Sequence, residues 1–299
     1  MRLINVLTGR LESFTSMVPR YAILSHTWGA DGDEVTFQEM LVEPEDRLPR
    51  TTSKPGYEKI LKTCEIAKSE NKKLAETRTN YHGLYHKDDG IRYVWIDTCC
   101  IDKGSSAELS EAINSMYNYY READVCLAYL SDMTTDPETF GTSRWFTRGW
   151  TLQELIAPSK VYFYDWSWTY RGDRVSFQET IRTVTHIATF KNILDLPVAV
   201  RMSWASNRET TRVEDLAYCL MGIFDVNMPL LYGEGKKAFI RLQEEIIKQN
   251  PDLSIFAWID PFPSMFSGLL AESPECGQHQ HRLPRILCYQ SRDSIPVPP

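Results

Sequence analysis

Four short runs of β-branched and aromatic residues, separated by stretches with helical spacing, constrain this chain more than any other feature. The runs are RYAILSHTWG (20–29), IRYVWIDTCC (91–100), DVCLAYLSD (124–132) and KVYFYD (160–165). Between the first two, GYEKILKTCEIAKSENKK (56–73) places Tyr57, Ile60, Leu61, Cys64 and Ala67 at helical intervals, and a polar loop is expected over 74–90. Between the second and third, SSAELSEAINSMYNYYREA opens on Ser105-x-x-Glu108, a capping-box spacing, and aligns Leu109, Ile113, Met116, Tyr117 and Tyr120. Strands alternating with helices predict an α/β fold, a parallel β-sheet flanked by helices in a flavodoxin-like, three-layer core.

Ligands of such sheets sit beyond the carboxyl ends of the strands. There the runs turn polar, as Ser25-His26-Thr27-Trp28, Asp97-Thr98-Cys99-Cys100 and Ser131-Asp132. A loop is expected over 133–146, then a helix from about Trp150 that Pro158 stops. Trp150 and Glu154 are four residues apart and share one helical face. The helix starts where the third strand delivers the chain, so the pair is expected to overlook the polar cluster. Spacing alone also fits a solvent-facing glutamate beside a core tryptophan. It equally fits Asp97 as a cap, His26 as a structural histidine, and Cys99 and Cys100 as buried small hydrophobes.

From residue 166 the pattern is helical. TTRVEDLAYCLMGIFDV and GKKAFIRLQEEIIKQN read as helices, the second with Phe239, Leu242, Ile246 and Ile247 as its apolar stripe and Asn250-Pro251 as its end. Strand-like character returns at LSIFAW (253–258). The expected division is a domain over 1–260, with an α/β core at about 20–165 and a helical extension at about 166–260. The proline-rich 261–299 reads as a tail or the start of a linker.

Composition narrows the function. The 299 residues are 42% hydrophobic and 24% charged, enough for a sizeable core. A net charge of −7 argues against a protein that works on nucleic acid or on an anionic membrane surface. Seven cysteines without a C-x-x-C pair fit a reducing, cytoplasmic setting. The N-terminus lacks the apolar core of a signal peptide, and AYCLMGIFDVNMPLLYG is broken by Asp225 and Asn227 before it could span a bilayer.

Other chemistries find less support. GEGKKA (233–238) lacks the spacing and the Ser/Thr of a phosphate loop. Cys99, His26 and Asp97 share the rim and could form a thiol hydrolase, with no local signature for one. Cys276, His279, His281 and Cys288 contain metal-ligand types but match no zinc spacing, and His82 with His86 is a weaker pair still. No metal is expected.

Five blocks carry a family resemblance: YAILSHTWG, VWIDTCCIDK, LSEAINSMYNYYREADVCLAYLSD, RGWTLQELIAP and TTRVEDLAYCLMGIFDVNMPLLYGEG. In this order, over about 20–260, they resemble the fungal heterokaryon-incompatibility (HET) domain. That resemblance implies an effector of programmed cell death triggered when genetically different hyphae fuse. Such domains are often the N-terminal part of a longer receptor with nucleotide-binding and repeat domains, and the proline-rich end here is similar to a domain cut from such a parent.

The HET core in turn resembles a TIR domain, through strand order and through Trp150-x-x-x-Glu154 ahead of KVYFYD. Enzymatic TIR domains cleave NAD+ with a glutamate on the helix before their fourth strand. The resemblance implies Glu154 as the catalytic residue and Trp150 as the nicotinamide platform. Ser25, His26, Trp28 and Asp97 would line the pocket for NAD+, a substrate rather than a cofactor. The long 30–90 connection and the helical extension depart from TIR proteins. A homo-oligomer is expected in the active state, because TIR sites are often completed by a neighbouring subunit. The competing expectation is a non-catalytic TIR-like scaffold that recruits partners.

Overall fold

The computed structural model describes residues 1–78, 90–258 and 269–274. Its centre is a seven-stranded sheet in the order β2-β1-β4-β3-β5-β6-β7. The expected runs supply the four parallel strands, β3 (Tyr21–His26), β4 (Tyr93–Trp95), β5 (Val125–Tyr129) and β6 (Val161–Tyr164). β3 is buried along its whole length, as a strand covered on both faces must be.

Three antiparallel strands at the edges make the sheet mixed rather than purely parallel. β1 (Arg2–Asn5) and β2 (Leu11–Ser13) form a hairpin beside β4, and β7 (Tyr170–Asp173) pairs with β6. The hairpin turns on Asn5, whose side-chain oxygen accepts the Leu7 and Thr8 amides at 2.9 and 3.3 Å. The sheet therefore reaches beyond the expected 20–165 span on both sides.

The helices follow their apolar spacing. Pro55–Arg78 buries Ile60, Cys64 and Ala67, continues past the expected start of the loop, and leaves Leu61 exposed. Ser106–Glu122 is capped by Ser105 and buries Ala112, Ile113, Met116 and Tyr120. The capping box is only half made, because the Glu108 carboxylate accepts the Asp102 amide at 2.9 Å and pairs with Arg2.

The extension differs more. TTRVEDLAYCLMGIFDV forms two short helices, Asp215–Tyr218 and Met221–Phe224, the second ended by Asp225 in the left-handed region. Lys237–Gln249 buries Phe239, Leu242, Gln243 and Ile246 but leaves Ile247 exposed. LSIFAW is no strand: Asp252 caps a 3-10 turn over Leu253–Phe256 and also accepts the Val198 amide at 2.7 Å. Ala271, within the region expected as tail, exchanges two backbone hydrogen bonds with the Gln243 side chain, at 2.7 and 3.0 Å.

The parallel strands lie in the order β4-β3-β5-β6, so the chain leaves β3 in one direction and then passes back across it to β5. That reversal makes the crevice beside the carboxyl ends of β3 and β5 the topological switch point.

Candidate functional site at the carboxyl edge of the sheet

Successive residues of a strand face opposite sides of its sheet, and the end of β3 uses both. Ser25 meets the face covered by the helices Ser106–Glu122 and Thr151–Ile156. His26 meets the face covered by Pro55–Arg78. Two polar clusters therefore flank one strand end.

The first cluster centres on Glu154. All six side chains of the helix Thr151–Ile156 are buried, so Glu154 is no solvent-facing glutamate; it is 7% exposed. The Ser25 hydroxyl donates to Glu154 Oε2 and accepts from Trp145 Nε1 at 2.7 Å. Tyr120, whose hydroxyl is 3.0 Å from the Leu24 carbonyl, also approaches the carboxyl. Burial pushes Glu154 up to about 8. The hydrogen bond from Ser25, the nearby Tyr120 hydroxyl and the charge of Arg208 oppose that shift, while the charge of Asp97 adds to it. At neutral pH the free domain therefore favours the protonated carboxyl.

The loop leading into this helix is tied to the end of β5. Asp132 accepts the Ser143 hydroxyl at 2.6 Å and the Arg144 amide at 2.8 Å. Trp150, half-buried at the helix start, approaches Asp215 of the extension and opposes the upward push of burial on that carboxyl, which accepts the Tyr232 hydroxyl at 3.0 Å. Trp150 and Glu154 thus serve different neighbours, the extension and the sheet.

The second cluster joins His26, Trp28 and Asp97. Asp97 Oδ1 is 3.1 Å from His26 Nε2, and Oδ2 accepts the Trp28 indole N–H at 2.8 Å. Lys59 Nζ reaches His26 Nδ1 at 3.1 Å, the Thr27 carbonyl at 3.3 Å and Glu34 Oε1 at 2.5 Å. Those three contacts use all three ammonium hydrogens, which assigns the His26 proton to Nε2, directed at Asp97. Burial pushes the Asp97 carboxyl up, but His26, Lys103 and Trp28 together hold it below the usual carboxylate range. Trp28 remains 47% exposed, with Lys103 Nζ 3.7 Å from the centre of its ring.

This arrangement does not assemble the thiol site. Both ring nitrogens of His26 are engaged, and Cys99 is fully buried with its thiol pushed well up by Cys100 and by burial. Among the described residues no group of His, Cys, Asp and Glu could hold a metal. Cys276, His279, His281, Cys288, His82 and His86 lie outside the described residues. Among the described residues no helix is long and apolar enough to cross a membrane.

Trp145, Tyr120, Lys59 and Arg208 were not singled out by the sequence. Tyr120 has the spacing of a core stripe, and the other three stand in stretches with no local signal.

Fold and site together define an α/β domain with a buried carboxyl at the switch point of its sheet. Comparison with known proteins identifies the family. Residues 21–142 match the model for heterokaryon incompatibility protein (HET), and the chain belongs to that family. It is similar to vegetative incompatibility protein HET-E-1 of Podospora anserina, 42% identical over 259 residues. That match takes in 82% of this chain and 17% of the relative, so the chain spans about a sixth of the relative's length. Residues 237–295 match a domain of unknown function (DUF8212). No solved structure matches the chain.

Proposed function

We propose that this chain is a cell-death effector in heterokaryon incompatibility, and that it kills by cleaving NAD+ to nicotinamide and ADP-ribose at a TIR-like site. The observation that carries this reading is the buried carboxyl of Glu154, held by Ser25 at the carboxyl edge of the central strand. A module that only recruits partners has no need of a desolvated carboxyl there.

The chemistry suits the residues. The bond between ribose C1′ and the nicotinamide nitrogen breaks, the ring keeps the electron pair and leaves neutral, and positive charge builds on the sugar. Water then adds to C1′ and loses a proton. A carboxylate about 4 Å from that charge, at an effective dielectric near 20, interacts by about 4 kcal/mol. Realised only in the transition state, that corresponds to roughly a thousandfold in rate. The pyridinium of bound NAD+ favours loss of the Glu154 proton, because a nearby cation stabilises the charged carboxylate. Trp28, half exposed at this edge and fixed through its indole N–H by Asp97, would offer the ring face opposite Lys103. Assembly into a homo-oligomer and linkage to a nucleotide-binding receptor complete the proposal.

The test is release of nicotinamide from NAD+ by the purified domain. Glu154→Gln is expected to remain folded and to lose at least about a hundredfold in turnover, the order of a transition-state charge. A domain that consumes no NAD+ under any assembly condition, yet still kills cells, supports the scaffold reading instead.

A further inference from the structure

We propose that Arg208, supplied by the helical extension, is the positioning residue of Glu154: it fastens the first turn of the Glu154 helix and provides the buried positive charge that lets Glu154 act as a carboxylate. The catalytic part of this inference rests on the function proposed above.

Arg208 is only 5% exposed. Its Nη1 donates to the Arg148 carbonyl at 2.7 Å and to Thr151 Oγ1 at 3.0 Å, both at the start of that helix. Thr151 stands three residues before Glu154, on the same helical face. The neighbouring backbone closes the joint, with the Glu209 amide on the Thr147 carbonyl at 2.7 Å and the Gly149 amide on the Glu209 carbonyl at 2.8 Å. Gly149 is needed here, since a Cβ would collide with the Thr210 side chain.

Fastening alone does not explain an arginine. Nη2 is buried without a hydrogen-bond partner, and among the described residues no carboxylate lies within ion-pair distance of Arg208. An unpaired buried guanidinium is costly, and a neutral amide could also donate to the Arg148 carbonyl. Burial pulls Arg208 down to about 10, while the charges of Cys219 and Glu154 oppose that shift. The groups facing Glu154 are Ser25 and Cys126 from the sheet, Tyr120 from the helix Ser106–Glu122, Asp97 beyond β4, and Arg208. Arg208 is the one cation among them. An ionised Glu154 offers that charge a partner, and the carboxylate is the form the reaction uses.

The test compares the parent with Arg208→Met, Arg208→Lys and Glu154→Gln. Titration of Glu154 is followed by carboxyl 13C NMR, its signal assigned by its loss in Glu154→Gln, and NAD+ cleavage is measured against pH. Arg208→Met should raise the Glu154 midpoint by at least about half a pH unit and carry the acidic limb of kcat upward with it, at nearly constant KM. Arg208→Lys should restore most of the parent midpoint. A role in packing alone would reduce kcat by one factor at every pH and leave the midpoint in place, and that result overturns the proposal. Should Arg208→Met not fold, Arg208→Gln, which keeps an amide donor without the charge, carries the same two outcomes. If the parent itself cleaves no NAD+, the catalytic reading of Glu154 fails, while the titration still decides the link to Arg208.

Discussion

The Ser25 hydroxyl on the central strand donates to the Glu154 carboxyl on the helix before β6, and both residues are buried. Ser25 also accepts the Trp145 indole N–H at 2.7 Å, so one side chain joins the strand, the incoming loop and the helix. Glu154 is thereby fixed to a strand 129 residues away in sequence, as a group needed in one orientation should be.

Ser25→Ala removes both links together. It leaves the wholly buried Trp145 indole N–H without its acceptor, an omission that costs about 1–3 kcal/mol. It also removes a hydrogen bond that lowers the Glu154 pKa. Urea unfolding should show the stability loss, and NAD+ cleavage should fall at pH 7 and recover partly at higher pH. An alanine variant with parental stability and a parental pH profile would remove Ser25 from the site.

Gly222 sets the fit between the extension and the sheet-covering helix. A Cβ at Gly222 would meet the Cβ and ring of Tyr117 on Ser106–Glu122. Gly222→Ala is therefore expected to cost about 1–3 kcal/mol through overpacking, seen as a lowered urea midpoint with unchanged slope. If the variant unfolds with the parent, the extension does not pack through this contact.

The two candidate tryptophans should separate by what their loss damages. Trp28 is 47% exposed, so Trp28→Ala should leave the thermal midpoint nearly unchanged while raising KM for NAD+ severalfold through the lost aromatic face. Trp150 is half-buried, packed against the core and close to Asp215, so Trp150→Ala should lower the midpoint clearly and affect KM less. Thermal melts and steady-state kinetics on both variants decide the assignment. A larger KM effect at Trp150 would return the platform role to that residue.

The parallel strands were legible because each is an apolar run ending in polar residues, and that pattern also located Ser25, His26 and Asp97. The edge strands β1, β2 and β7 were not, since RLIN, LES and YRGD are mixed polar, part-exposed segments that become strands by pairing rather than by pattern. Glu154 could be placed at the right edge from helix spacing, but its burial depends on Trp145, Tyr120 and Arg208 arriving from elsewhere. Helix spacing gave no sign that Trp150 also approaches Asp215, which the extension brings to the indole. Lys59 sits on an ordinary helix, and only the turn of β3 toward that helix gives it His26 as a partner.

Glu154 should also govern how stability depends on pH. In the unfolded chain a glutamate loses its proton near pH 4.3, whereas burial in the folded domain pushes this one up to about 8. Between those values the folded state holds a proton that the unfolded state has released. Stability must then fall as pH rises across that window. Glu154→Gln removes the titration and keeps the shape, so every other group cancels in the comparison to first order. The variant should gain at least about 1 kcal/mol on the parent between pH 5 and pH 8, read from urea unfolding at the two pH values. Parallel stability curves for the two proteins would mean that Glu154 ionises freely in the folded domain, and the buried carboxyl at the end of the central strand would lose its special standing.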